Sequence, residues 1–337
     1  MKRKFSWLAV LCSIFLAGCL PGGQSNKGGY TITVYGFSIM KEVLEKEIYP
    51  AFAAKWKRET GEDVHFVSSF AGSETVTNQI LQGAPADIAI LSIERDVDRL
   101  IAAGHVPNDW YVTPQKGIVN KTPFVILVRK GNPKGINDFA DLGKPGVRLI
   151  HPDPVSSGGA QWSILAIYGS ELKKSEAEMG TADTNRALLA LQKVWSNVIS
   201  TPGSAREART QFETGYGDAL VTYELEGLLM KQMGQPVEII VPPATIFSEH
   251  PVAIVDRNVT ADERPVIEAF RNFLWSDEAQ QAFVKYHFRS STNEAFNEAN
   301  QEFARIEQPF TIQMFGGWNR AYPEIIEGVF NNQVQRK

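Results

Sequence analysis

Cysteine is nearly absent. The 337 residues contain two, Cys12 and Cys19, and both fall near the start. That leaves the body of the chain without a disulfide framework, a cysteine metal site or a thiol nucleophile. The five histidines, His65, His105, His151, His250 and His287, are scattered without metal-ligand spacing. No metal and no cofactor is expected. No basic run occurs and the net charge is −4, so nucleic acid meets no electrostatic footprint. After the first twenty positions no apolar stretch is long enough to span a bilayer. A phosphate loop ending in Gly-Lys-Ser/Thr is missing. Ser170 and Lys173 share the S-x-x-K spacing of penicillin-interacting enzymes, at the expected end of a helix, but no partner motif follows. A hydrolytic enzyme on an α/β scaffold is therefore the weaker alternative, and no catalytic residue is assigned.

What is there begins with a leader. Lys2, Arg3 and Lys4 precede a short apolar core over 5–15, then Leu16-Ala17-Gly18-Cys19, which looks like a bacterial lipobox. Residues 1–18 read as a signal peptide and 19–29 as a polar, Gly-rich tether lipidated on Cys19. The expected location is extracytoplasmic, anchored to a membrane through that lipid.

From Tyr30 on, strand and helix patterns alternate: "YTITVYGF", "MKEVLEKEIYPAFAAKWKRETG", "EDVHFVSSF", "GSETVTNQILQG", "ADIAILS", "ERDVDRLIAAG". The order predicts an α/β fold with a largely parallel sheet. Pro50 reads as a break or kink in the first helix. The length suggests two lobes.

Three helix starts share one chemistry. Gly72-Ser73 opens "ETVTNQIL", Ser156-Ser157-Gly158-Gly159 opens "AQWSILAIYG", and Gly203-Ser204 opens "AREARTQF". Each follows a strand-like run, and Ser204 has Glu207 at capping-box spacing. A helix N-terminus offers free N–H donors and a partial positive charge. In α/β sheets ligands sit outside the carboxyl ends of the strands. Several such starts aimed at one point form an anion site without lysine or arginine. Other polar residues have blander readings. Asp87, Asp96 and Asp98 read as caps or surface charge, and His151 as a structural loop residue. Trp162, Trp195 and Trp275 read as core. Arg206 and Arg209 either support the third start or face solvent.

The stretch "TPFVILVRKGNPKGINDFADLGKPGVRLIHPDPVSSGGAQWSILAIYG" resembles the sulfate-binding proteins of bacterial ABC importers, as do "FETGYGDALVTYELE", "FLWSDEAQQAFVKYHFR" and "MFGGWNRAY". The resemblance implies the type II periplasmic-binding-protein fold: two lobes, each a mixed sheet flanked by helices, closing on one dianion in the cleft between them. Lobe 1 would be 30–119 and 246–300, lobe 2 would be 120–245, and 301–337 would pack on both. Carried over by motif, the anion ligands fall on Ser73, on Ser157, Gly158 and Gly159, and on Ser204 or Ala205. The family's tryptophan falls on Tyr223, and its early aspartate falls near Ser38. These departures, with "SSFAGSETVTNQILQG", resemble molybdate- and tungstate-binding relatives. Sulfate or thiosulfate is the expected ligand, with molybdate or tungstate as the alternative. A ferric-ion binder would need clustered tyrosines, and Tyr223 stands alone. The implied partner is an ABC permease, and the implied state is a monomer.

Overall fold

The computed structural model describes residues 29–335. The leader and Cys19 lie outside the described residues. The first half alternates as the sequence does: β1 (Tyr30–Phe37), α1 (Lys41–Val43), α2 (Tyr49–Thr60), β2 (Val64–Ala71), α3 (Ser73–Leu81), β3 (Ile88–Ile90) and α4 (Glu94–Ala102). Next come β4 (Ile118–Arg129), β5 (Leu149–Ile150), α5 (Gly158–Met179), α6 (Thr184–Trp195), β6 (Val198–Ser200) and α7 (Ala205–Glu213). They are followed by β7 (Ala219–Tyr223), α8 (Glu224–Gln232), β8 (Val237–Ile240), β9 (Ala244–Ile254), α9 (Arg264–Phe273) and α10 (Asp277–Lys285). The chain closes with β10 (Arg289–Ser290), α11 (Glu294–Ala299), β11 (Gln308–Phe310) and α12 (Trp318–Ala321), which runs on as a π-helical stretch, Tyr322–Val334.

The sheet order is β2-β1-β3-β9-β4-β7-β5-β6, with β8 and β10 on β4 and β11 on β9. Its flanks are parallel, β1 with β2 and β3, and β5 with β6 and β7. Its middle is antiparallel, which corrects the largely parallel sheet read from the element order. The cause is the pair of long strands β4 and β9. One end of β4 pairs with β9, from Ile118↔Pro251 to Pro123↔Phe247, and its other end with β7, from Phe124↔Tyr223 to Val128↔Ala219. Likewise β9 continues onto β3 through Val252 and Ile254. The two strands therefore run from one half of the molecule into the other. Pro251 cannot donate to the ladder, and the register shifts beside it, between Ile118 and Asn120.

Pro50 neither breaks nor ends its helix. A π-helical turn, Leu44–Ile48, precedes it, and the Tyr49 N–H bonds Leu44 O. The wide turn makes room for the ring and for the N–H that proline lacks. Residues 41–60 are thus helical throughout, and Tyr49 stacks on Phe66 of β2 with centroids 4.1 Å apart. The aromatic reading of the core holds: Trp162 is fully buried, Trp275 nearly so, and Trp195 packs against Phe330. Helix α5 is longer than its apolar run suggests, so Ser170 is a buried mid-helix residue rather than a helix end.

Candidate anion site

The three helix starts meet. A Cβ added at Gly72, the N-cap of α3, would collide with Ser156 O and lie 2.6 Å from Gly203 O. Only glycine lets the three loops approach this closely. Ser156 Oγ donates to Gly203 O at 2.8 Å, tying the second loop to the third. The Thr75 N–H reaches Ser156 O at 3.4 Å, tying the first to the second.

The starts differ in how they use their serines. Ser204 accepts from the Glu207 N–H at 3.2 Å, and Glu207 Oε2 accepts from the Gly203 N–H at 3.1 Å. The spacing predicted a capping box; the Ser204 half forms, while the returning Glu207 carboxylate takes the N–H one residue before the N-cap. Ser73 is not the N-cap but the first residue of α3. Its Oγ donates to Asp96 Oδ2 at 2.6 Å and accepts from the Ser92 N–H at 2.9 Å. Ser157 is the N-cap of α5 and makes no side-chain capping bond. Among the described residues the N–H groups of Gly158 and Gly159 find no acceptor, as expected in a first helical turn.

The paired glycines of α5 now have a reason. A Cβ on Gly158 would lie 2.9 Å from Ser92 Cβ, and one on Gly159 would lie 2.7 Å from Tyr223 Oη. Ser92 Oγ and Tyr223 Oη are themselves 2.8 Å apart, and the Trp162 indole donates to Ser92 O at 2.7 Å. Ser92 therefore joins α3, α5 and β7. Burial pushes the Tyr223 phenol well above its ordinary pKa, so it stays neutral. Ser38 is buried at the end of β1, in a 3-10 turn that packs on α7. Ser73, Ser157, Ser204, Ala205 and Tyr223 are all buried.

Asp96 is a correction. It is neither a cap nor surface charge but is fully buried behind Ser73. Burial, with the Glu74 charge adding, pushes its carboxyl up to about 8. Arg206 and Arg209 do not face solvent. Arg206 bonds Glu42 of α1 and Glu226 of α8, and Arg209 bonds Glu226 at 2.7 Å. Both guanidiniums are thereby neutralised beside the third start. His151 is structural: its Nδ1 contacts Pro152 O at 2.7 Å, its Nε2 contacts Ser163, and burial lowers its pKa to about 4. Sequence reasoning missed Ser92. Ser92 had one signal, its place at the carboxyl end of β3. Among the described residues no group of three or more His, Cys, Asp or Glu could hold a metal.

A family model described as "Bacterial extracellular solute-binding protein" matches residues 32–289. The chain belongs to this family. It is 34% identical to a sulfate-binding protein of Synechococcus elongatus, over 99% of this chain and 97% of that one. It is 32% identical to a thiosulfate-binding protein of Pseudomonas aeruginosa, over 94% of both. The structure of the sulfate-binding protein SubI from Mycobacterium tuberculosis superposes with a TM-score of 0.78 at 31% identity, covering 88% of this chain and 99% of that one. The fold is that of the periplasmic binding proteins. Likeness to the molybdate-binding protein ModA of Mycobacterium bovis covers only 52% of this chain. The relatives are binding proteins that serve transport, and the chain is a binding protein rather than an enzyme. Among the described residues no helix is long and apolar enough to cross a membrane.

Proposed function

We propose that this binding protein captures sulfate or thiosulfate as a fully ionised dianion and hands it to an ABC permease. The observation that carries the reading is the meeting of three helix starts at Gly72. The N–H groups of Ser73, of Gly158 and Gly159, and of Ala205 would receive the anion, with the hydroxyls of Ser38, Ser157 and Tyr223 completing the shell. Each helix end supplies partial positive charge without a counter-cation. A donor-only shell fits an anion that carries no proton. Hydrogen phosphate carries one, and a buried O–H without an acceptor is costly. Asp96, the carboxyl buried behind Ser73, already accepts from the Ser73 hydroxyl at 2.6 Å.

In this reading 30–119 with 246–300 forms one lobe and 120–245 the other. Strands β4 and β9 are the hinge, and closure buries the anion. The protein acts as a monomer, held at the membrane by lipid on Cys19. Mutation of Cys19 to Ala would release it from the membrane fraction. The second reading, molybdate or tungstate, rests on Tyr223 standing where the sulfate-binding proteins carry tryptophan. Calorimetric titration of residues 30–337 with sulfate, thiosulfate and molybdate, in phosphate-free buffer, decides between them. Tight binding of sulfate or thiosulfate with weak molybdate is expected. The reverse order assigns the site to molybdate, and no binding at all overturns the anion site.

A further inference from the structure

We propose that Tyr322 is a closure residue, through which the C-terminal segment braces the closed cleft without touching the anion; this rests on the two-lobe reading above. The segment is seated on α5 and α6. Phe310 and Phe315 press on Gly169 of α5, where a Cβ would lie 2.6 Å from the Phe310 ring. Trp318 packs edge-on against Trp162, with centroids 4.7 Å apart. Phe330 packs edge-on against Trp195 at 4.6 Å, and Gln192 donates to Gln333 O at 3.0 Å. The segment would therefore travel with the lobe that carries α5 and α6.

Tyr322 reaches the other side. The Arg95 guanidinium, on α4, lies 3.4 Å from the centre of its ring. Arg95 also donates to Glu74 Oε1 at 2.9 Å, and Gln161 of α5 donates to the same oxygen at 3.0 Å. The Arg95–Glu74 pair is thus clasped from two directions by groups carried on the α5 side, Gln161 and Tyr322. Glu74 directly follows Ser73, and Gln161 lies in the first turn of α5. The clasp is assembled from the same two helix starts that meet at the candidate site, so it forms only when they meet. With the Arg95 side chain mostly shielded from water, a guanidinium over an aromatic face is a favourable contact that strengthens as it is desolvated.

The test is release of bound radiolabelled sulfate from the full chain into an excess of unlabelled sulfate. Tyr322→Leu removes the ring, and Tyr322→Phe keeps the ring but drops the hydroxyl. We expect roughly tenfold faster release from Tyr322→Leu, a ratio equivalent to about 1.4 kcal/mol, with an unchanged association rate. Tyr322→Phe should release like the wild type, and Tyr322→Leu combined with Arg95→Leu should release no faster than Arg95→Leu alone. If Tyr322→Leu does not fold, Arg95→Leu reads the same contact from its other side and should also release about tenfold faster. Wild-type rates in both leucine variants, or equally fast release from the Leu and Phe variants, would overturn the brace and leave the anion reading intact. A wild type that retains no sulfate would overturn both.

Discussion

The starts of α5 and α7 look alike in sequence, serine and glycine after a strand, yet they are built differently. The α7 start uses its own side chains: Ser204 takes the Glu207 N–H, and Glu207 takes the Gly203 N–H. The α5 start uses only backbone bonds, the Ser157 N–H to Asp153 O and the Ala160 N–H to Ser157 O. Its N-cap Ser157 makes no side-chain cap bond, and Gly158 and Gly159 are bare because Ser92 and Tyr223 press against them. A helix end that leaves its donors open while burying its N-cap is arranged for an outside acceptor. The α7 end closes the Gly203 and Glu207 donors with its own side chains and, among the described residues, leaves the Ala205 N–H without an acceptor.

That contrast orders the predictions. The largest effect belongs to Gly159→Ala. Its methyl would sit 2.7 Å from Tyr223 Oη, and such overpacking costs about 1–3 kcal/mol. Anion affinity should drop by roughly 100-fold, measured by titration, while far-UV circular dichroism stays unchanged. Wild-type affinity would show that α5 is only a capped helix. Next is Tyr223→Phe, which removes the bond to Ser92 Oγ. A drop of about fivefold in affinity is expected, from a lost bond of about 1 kcal/mol. Ser204→Ala should do the opposite of Gly159→Ala. It loses about 1 kcal/mol of stability with the cap, read as a lower urea midpoint, with little change in affinity. A large affinity loss there would erase the distinction between the two starts.

The last prediction concerns stability rather than affinity, and it is a pH dependence. The Asp96 carboxyl is raised from its ordinary value to about 8 by burial and Glu74. Between about pH 4 and pH 8 the folded protein holds a proton that the unfolded chain has lost. That contribution therefore weakens as pH rises through this window. Asp96→Asn removes it, so its melting temperature relative to the wild type should climb between pH 5 and pH 8. A constant difference would show that Asp96 is ionised throughout.

The helix starts were legible because Gly-Ser after a strand is a local signal, and local chemistry decides a cap. The Ser204 cap needed only the spacing to Glu207. What sits behind a start was not legible. Asp96 and Ser92 come from another strand and helix, and nothing in their own neighbourhood says that Ser73 will claim them. Strand direction failed for the same reason: β4 and β9 each pair with partners on both halves, and pairing is decided by the assembled molecule. Pro50 shows a local rule overridden nearby, since one wide turn lets the helix pass through it. Arg206 and Arg209 could be resolved only by their partners, Glu42, Glu213 and Glu226.

The central claim is that the open N–H groups at the start of α5 receive the anion. Amide NMR of the isotopically labelled protein during sulfate titration tests it most directly. The account predicts that the Gly158 and Gly159 amide protons show the largest downfield shifts, with Ala205 also moving and the Glu207 amide, held by Ser204, moving least. Saturable shifts confined to residues outside these helix starts would contradict it.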